Sequence, residues 1–515
     1  MSEDPMAEEP ENAEGSEDAE EPEDGAERGP MFSGQPLAAH KLLPLEKIPP
    51  VDRTRRPPPS PPLGLTVPEF QERCLGNGVI IECAHRPNIP EVAIQMILEA
   101  GAESEDSGSA GLAELTASLV TEGSGEMGAM EMAERLDYLG ADFRVGADYA
   151  VTSASLHCLP DMLRDALNFM GDCVIHPSFP PSEFTRVRQE HLDGIAMRLD
   201  DPASAAMISL LPAIYGTGRY AISVQGAAAS VGALTRDDAE RFHRGRYSPS
   251  GARIVACGGV EPEKLLDLME ERFGDWTGED LAPAPPPVSP DPVRREGVIL
   301  LERPGAAQAE VRIGAVGVAY GTDDHFALVL ANALLGGLFN SRINMNLREE
   351  KGWTYGARTS FSFRRGPGPF LAAAAVESRF AGPALEEMLG EIHRMASEPV
   401  PDDELTLARN ALTLSLPRTF ETAGQMVAAV SRQRVFGLSP DYWTDYSDQM
   451  ESVTPEQVMD AVRGRLDPKA LVLLVAGDPA STGGLGQLGP VTRLMPDCAD
   501  FGAAGAAPPA FGKES

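Results

Sequence analysis

The sequence has 515 residues, of which 42% are hydrophobic and 23% are charged, and its formal net charge is −35. A chain of this length exceeds what one hydrophobic core supports, so we expect about two to four domains. The strongly acidic charge argues against binding to nucleic acid or to an anionic membrane surface. No apolar run of about 18 residues is evident, which argues against a transmembrane helix.

Residues 1–62 form an acidic and proline-rich segment that we expect to be a disordered tail, because it holds too few apolar residues to offset its chain entropy. The segment lacks a basic start followed by an apolar stretch, so no secretory signal is visible and we predict a cytoplasmic location. The six cysteines form no CxxC pair, and we predict buried free thiols in a reducing compartment.

A second proline-rich stretch, residues 281–295, predicts a linker between domains at 63–280 and 296–490, with residues 491–515 as a flexible tail. The two blocks share a repeated pattern of Thr, Arg-Gly-Arg, Pro and Gly. It begins at Thr235 in the first block and 219 residues later, at Thr454, in the second. Matches at one fixed offset indicate a duplicated domain.

Each block alternates predicted strands with predicted helices. In the first block, Gly78–Cys83 and Glu91–Leu98 are predicted to pair as strands, and 111–122 is predicted to be a helix. Hairpins mixed with separate helices favour an α+β fold, in which each domain has a mainly antiparallel sheet with helices on one face.

One stretch of the second block, LREEKGWTY at residues 347–355, carries the chemistry of greatest interest. Ser341–Lys351 is predicted to be a helix that ends at Gly352, and Trp353–Phe363 is predicted to be a strand. Arg348 and Tyr355 would then lie close enough for a guanidinium and a phenol to donate hydrogen bonds to one peptide carbonyl. The alternative is an exposed arginine and a half-buried tyrosine without such a role.

This stretch, with Gly336-Gly337 and Ser341-Arg342 before it, resembles the Arg/Tyr motif of the insulinase/pitrilysin family of zinc peptidases, including the mitochondrial-processing-peptidase type. The similarity covers most of residues 65–480 and implies a duplicated α+β metallopeptidase fold. In active relatives the first half carries HxxEH, in which two histidines bind zinc and the glutamate activates water.

The corresponding residues here lack that motif. Glu114 stands where the first histidine would be, Ala117 where the glutamate would be, and Ser118 where the second histidine would be. The third ligand of the family would fall near Asp193-Gly194. An alanine accepts no proton, and Glu114 with Ser118 makes a poor zinc site, so we predict no metal and no cofactor in this chain.

The resemblance therefore implies a catalytically incomplete subunit of a heterodimeric zinc metallopeptidase. Arg348 and Tyr355 would bind the substrate carbonyl of a peptide, and a homologous HxxEH partner would supply zinc, water and base. The alternative is a non-enzymatic scaffold or peptide-binding subunit of the same fold.

Overall fold

The computed structural model describes residues 54, 67–106, 108–216, 218–281 and 296–495. Almost all of the predicted acidic tail, residues 282–295 of the predicted linker and the last twenty residues lie outside this range. Chain contacts divide the protein into Met1–Pro59 and Ser60–Ser515, and both predicted domains belong to the second of these units.

The described residues contain fourteen strands, which alternate with helices along both halves of the chain. They are β1 Gln71–Cys74, β2 Ile80–His85, β3 Val92–Leu98, β4 Gly123–Ser124, β5 Met127–Gly128, β6 Asp142–Ala147, β7 Thr152–Cys158, β8 Arg253–Gly258, β9 Val298–Glu302, β10 Gln308–Val316, β11 Ala357–Phe361, β12 Pro369–Glu377, β13 Val472–Gly477 and β14 Val491–Leu494.

Fifteen α-helices accompany these strands in the same part of the chain. They are α1 Leu112–Leu119, α2 Ala129–Leu139, α3 Leu163–Ile175, α4 Pro181–Asp200, α5 Pro202–Tyr215, α6 Ala228–Ala233, α7 Arg236–Arg246, α8 Pro262–Phe273, α9 His325–Asn332, α10 Arg342–Asn344, α11 Ala381–Ser397, α12 Asp402–Ser415, α13 Ala423–Val435, α14 Tyr442–Ser452 and α15 Pro455–Arg465. Two π-helical segments, Ala333–Gly337 and Met345–Glu350, continue α9 and α10.

The two halves build the same six-stranded sheet. The first sheet has the order β1-β2-β8-β3-β7-β6, and the second has the order β14-β9-β13-β10-β12-β11. In both sheets the central pairings are antiparallel, whereas β2 runs parallel to β8 and β9 runs parallel to β13. The predicted α+β fold with two homologous domains is thereby confirmed, with one parallel pairing in the first sheet and two in the second.

The repeat read from the sequence coincides with a repeated structural unit. Thr235 and Thr454 each accept a hydrogen bond from the backbone N–H three residues on and begin α7 and α15. Both helices, the 3₁₀ turns at Pro249–Gly251 and Pro468–Ala470, and the strands β8 and β13 have the same bounds at an offset of 219. An identical local sequence pattern therefore gives an identical element in each half.

Two sequence-based expectations about strands were wrong. Strands β2 and β3 do not pair with each other, because β8 lies between them and bonds to both. Neighbouring strands in the sequence commonly pair, and nothing local reveals that a later strand inserts. At the other end, β14 lies in the segment that was predicted to be a tail, yet it bonds to β9 as an edge strand.

The outer face of each sheet is covered by a helix from the other half. Helix α5 of the first half places Leu210 and Ile214 against the second sheet. Helix α13 of the second half places Met426 and Val427 against the first sheet. We call these two helices the exchanged helices. In the order of α-helices, α5 follows α4 in the first half and α13 follows α12 in the second.

Glycines allow this close approach at both contacts. A Cβ atom at Gly314 of β10 would lie 2.5 Å from Cδ1 of Ile214, and one at Gly424 of α13 would lie 2.5 Å from Cε1 of His157. A buried ion pair adds to the second contact: Glu82, which is 2% exposed, bonds to Arg253 of its own half and to Arg434 of α13.

One segment meets the length and composition of a membrane span, contrary to expectation. His325–Glu350 is 26 residues long, and 56% of its most apolar window is buried. Its apolar side chains, among them Leu328, Leu335 and Leu347, form part of the second hydrophobic core. The backbone is extended at Leu338 and Ser341, so the segment is interrupted and packs as core helices.

Four of the five described cysteines are buried, as predicted, and the fifth is not. Cys83, Cys158, Cys173 and Cys257 are buried free thiols, and Cys74 is exposed. Burial raises the pKa of Cys83, Cys158 and Cys173 to about 12, so these thiols stay protonated and unreactive near neutral pH.

Two histidines whose pKa is lowered predict that the protein loses stability in mild acid. His325 is 4% exposed, its Nε2 lies 3.0 Å from the hydroxyl of Tyr442, and burial lowers its pKa to about 4. Burial likewise lowers the pKa of His243 to about 4. An unfolded histidine titrates near 6.5, so between these values the unfolded chain binds more protons and stability falls as pH falls.

We expect each of these histidines to remove up to about 3 kcal/mol between pH 6.5 and 4. Urea unfolding across this pH range measures the slope, which His325→Phe should make shallower. His243→Phe should make it shallower as well. A stability that stays flat over this range would contradict the prediction.

Candidate functional site

Arg348 lies in a π-helical turn, in which backbone hydrogen bonds join residues five apart rather than four apart as in an α-helix. The predicted helix Ser341–Lys351 is observed as α10 followed by the π-helical turn Met345–Glu350. Gly352 ends it with φ +64°, and its N–H donates to the carbonyl of Arg348 at 3.2 Å. The predicted glycine stop is correct, because only glycine takes this left-handed conformation without strain. π-helical turns occur often at functional sites.

The guanidinium of Arg348 is held by contacts that leave it accessible. Its Cζ atom lies 4.3 Å from the centre of the Phe339 ring, a cation–π contact that fixes the plane of the guanidinium. Its Nε lies 3.6 Å from a carboxylate oxygen of Glu349, and 34% of the side chain is exposed. The guanidinium is therefore oriented while some of its N–H groups remain open to a ligand.

Tyr355 is 92% exposed, which is unusual for a large aromatic side chain. It does not lie in a strand, because β11 begins only at Ala357. A turn holds it instead: the hydroxyl of Thr354 donates to the carbonyl of Gly356 and accepts from the N–H of Gly356 at 3.1 Å. The predicted strand start at Trp353 was wrong because Thr354 offers the backbone a local hydrogen bond in place of the ladder.

Asn344 ties the segments that carry these two side chains together. It is 5% exposed; its Nδ2 donates to the carbonyl of Phe339, and its Oδ1 accepts from the N–H of Ala357 at 3.0 Å. The sequence reading missed this residue. A signal was present, since asparagine favours caps and turns over the interior of a helix.

Helix α1 presents Glu114 and Ser118 on one half-buried face, while Ala117 is fully buried in the core. The carboxylate of Glu114 accepts a hydrogen bond from the backbone N–H of Ala147 at 2.8 Å. Burial raises its pKa, against the opposing effects of that N–H and of Arg198. Glu114 therefore supports the edge strand β6.

Ser118 contacts a residue that sequence reasoning missed. Its hydroxyl lies 3.1 Å from Nε2 of His191 on α4, and burial together with Arg198 lowers the pKa of that histidine. Arg198 itself donates to the side-chain oxygen of Gln225 at 2.6 Å and to the carbonyl of Gly194 at 3.2 Å. His191 and Ser118 are 73 residues apart, and no local spacing connects them.

These residues do not fit a zinc ion. Ala117 has no ligand atom, Ser118 is bonded to His191, and the guanidinium of Arg198 already places a positive charge beside Glu114. At the predicted position of the third ligand, Asp193 is exposed and accepts from Gln189 at 2.8 Å, and Gly194 offers only backbone. Within the described ranges, no three His, Cys, Asp or Glu residues are arranged to hold a metal. That this chain binds no metal stays a prediction.

Comparisons with known proteins agree with this architecture. Residues 80–224 match the family model described as insulinase (peptidase family M16), and residues 233–412 match the model described as peptidase M16 inactive domain. An uncharacterized zinc protease of Mycobacterium leprae is 24% identical over 410 residues, which are 79% of this chain and 91% of that protein. An uncharacterized zinc protease of Streptomyces coelicolor is 23% identical over 393 residues, which are 76% of this chain and 85% of that protein.

Two solved structures share the fold. A peptidase M16 inactive domain from Pseudomonas fluorescens superposes with a TM-score of 0.73 at 24% identity, covering 79% of this chain and 98% of its own. A protease from Helicobacter pylori superposes with a TM-score of 0.75 at 17% identity, covering 80% of this chain and all of its own.

Proposed function

The chain belongs to the insulinase family of peptidases, and we propose that it is the subunit of a two-chain zinc peptidase that binds the substrate and carries no metal. Arg348 and Tyr355 would donate hydrogen bonds to the carbonyl of the peptide bond that is cleaved. A homologous partner with an HxxEH motif would supply the metal centre and the base.

The exposure of Tyr355 is the observation that carries this proposal. A tyrosine kept for packing buries its ring, whereas this one is 92% exposed and held in place by the turn at Thr354. The neighbouring Arg348 is oriented by Phe339 and stays partly open. A phenol and a guanidinium that donate to the same carbonyl would stabilise the oxyanion that forms when water attacks it.

The first half of the chain supports the proposal that a second protein supplies the metal centre and the base. Ala117 cannot act as a base. The positive charge of Arg198 beside Glu114 would repel a metal cation there. A peptidase of this kind would therefore depend on a second protein for the step that this chain lacks.

Reconstitution with the partner tests the proposal directly. The chain would be co-purified with an HxxEH homologue from the same organism, and peptide hydrolysis would be compared for each protein alone and for the mixture. We expect activity only in the mixture. A homologue that is fully active without this chain would contradict the proposal and favour the alternative of a scaffold or peptide-binding subunit.

The metal content gives a second prediction. We expect the purified chain to bind less than one tenth of an equivalent of zinc, about the level of adventitious metal, because helix α1 supplies no histidine ligand. Elemental analysis after dialysis measures this content, and the HxxEH partner serves as the positive control. One tightly held zinc ion per chain would overturn our interpretation of residues 114–118.

A further inference from the structure

A cavity of about 250 Å³ lies where the exchanged helix α5 meets the second sheet. Its lining combines two arginines and two serines with apolar side chains, namely Arg312, Arg358, Ser204, Ser360, Met207 and Leu371. One water molecule needs only about 10–15 Å³ of such space, so the cavity can hold a small organic ligand. Residues of both halves line it, and Arg358 follows Tyr355 by three residues, but the proposed function does not use the cavity.

The register of the second sheet brings the two arginines to one place. Arg312 of β10 and Arg358 of β11 both pair with Ala373 of the strand between them. Their Cα atoms are therefore roughly 10 Å apart on the same face, and the small alanine leaves the space between them open. Two long side chains at this separation can converge on one small anion.

The two guanidinium groups are only partly neutralised. Arg312 is 3% exposed; its Nη1 bonds to the carboxylate of Glu310 at 2.7 Å, and its Nε has no partner. Arg358 is exposed, and within the described residues no carboxylate lies at ion-pair distance from it. A buried N–H without an acceptor costs free energy, which a bound oxygen atom would recover.

Other charges around the cavity leave a small positive excess. Asp201 begins α5, and its pKa is lowered by the hydrogen bonds from Ser204 and also by Arg312 and Arg303. Two arginines and no carboxylate line the cavity itself, and Glu310 pairs with Arg312, so the charge of Arg358 is left over. An excess of one positive charge is notable in a chain whose net charge is −35.

The first sheet shows that the fold itself does not require this pair. The matching row, defined by the same strand register, consists of Gln95, Ser155 and Arg144. Gln95 is neutral, and Arg144 donates two hydrogen bonds to Asp142 at 2.8 and 2.9 Å. Of the two rows, only that of the second half thus carries two arginines that are partly neutralised.

We propose that the cavity binds a carboxylate that bears a short apolar chain, with Arg312 and Arg358 holding the carboxylate. A monoanion matches the excess of one charge, whereas Glu310 and Asp201 would repel a phosphate dianion. Met207 and Leu371 offer the apolar part of the ligand a dry surface. Either a free short-chain acid or the C-terminal residue of a peptide presents this chemistry.

Ligand-observed NMR titration of the full chain with butyrate tests the proposal. We expect saturable binding that weakens at least tenfold in Arg358→Ala, an exposed position whose replacement should not disturb folding. Arg312→Gln, which introduces the residue found in the first sheet, should weaken binding similarly. Arg144→Ala, the matched arginine of the first sheet, and Tyr355→Phe should leave the affinity unchanged.

Competition experiments identify the source of the carboxylate. Displacement of butyrate by N-acetyl-dialanine, but not by its amide, would assign the site to peptide C-termini. Failure of both to displace butyrate would assign it to free short-chain acids. Absence of saturable binding, an unchanged affinity in Arg358→Ala, or stronger displacement by inorganic phosphate than by the carboxylates would overturn the proposal.

Discussion

Replacing Tyr355 with phenylalanine should lower kcat of the reconstituted two-chain peptidase by about tenfold to a thousandfold. The substitution removes one hydrogen-bond donor and leaves the aromatic ring. A donor to the carbonyl gains most when that oxygen becomes an oxyanion, so its loss acts more on kcat than on KM. Steady-state kinetics with a fluorogenic peptide measure both parameters.

Arg348→Lys should reduce kcat over the same range, because lysine keeps the charge but loses the planar set of donors and the stacking on Phe339. Neither change should shift the melting temperature by more than a degree or two, since substitutions of exposed side chains usually change stability by less than about 0.5 kcal/mol. Intact complexes on size-exclusion chromatography would show that association survives.

Matched substitutions in the first half control for general surface effects. Tyr138 is 72% exposed, so Tyr138→Phe removes a comparable hydroxyl far from the motif in sequence. Arg144→Lys replaces an exposed guanidinium with an ammonium group. Both should retain wild-type kcat. Suppose instead that the Arg348 and Tyr355 variants keep full activity while Glu114→Ala loses it. The chemistry would then lie in the first half, and our assignment to the second half would be wrong.

Glu82→Ala should destabilise the folded protein by about 3 kcal/mol, because it leaves two guanidinium groups without their shared carboxylate. Glu82 is 2% exposed, and it joins Arg253 of the first sheet to Arg434 of the exchanged helix α13. About a quarter of each arginine side chain is exposed, so partial rehydration keeps the loss at the lower end for buried ion pairs.

The free energy of unfolding in urea measures this loss, and a double-mutant cycle with Arg434→Ala isolates the contact between the halves. Arg432→Ala serves as the control, since Arg432 is an exposed arginine on the same helix and should cost less than about 0.5 kcal/mol. A Glu82→Ala variant as stable as the control would mean that α13 is held by its apolar contacts alone.

Features governed by local sequence were predicted well. Gly352 was identified as the residue that ends a helix, and its positive φ follows from the absence of a Cβ. The repeated Thr and Arg-Gly-Arg pattern predicted a duplicated unit and coincides with α7 and α15, because capping chemistry acts within a few residues.

Features governed by distant or subtle contacts were not predicted. The π-helical turn at Met345–Glu350 keeps nearly the same apolar spacing as an α-helix, so periodicity does not distinguish them. Two hydrogen bonds join residues far apart in the chain: Ser118 bonds to His191, and Glu114 accepts from the N–H of Ala147. Helix α5 is apolar enough to indicate burial, yet its sequence does not say which sheet it covers.

The exchanged helices make the two halves of the chain depend on each other for folding. If the chain were cut between residues 281 and 296, each fragment would expose one bare apolar sheet face and one unpartnered apolar helix. Such fragments resemble the subunits of an obligate dimer, which are stable only together. The duplicated chain is therefore a single cooperative unit with two cores, equivalent to a domain-swapped pair whose members share one polypeptide.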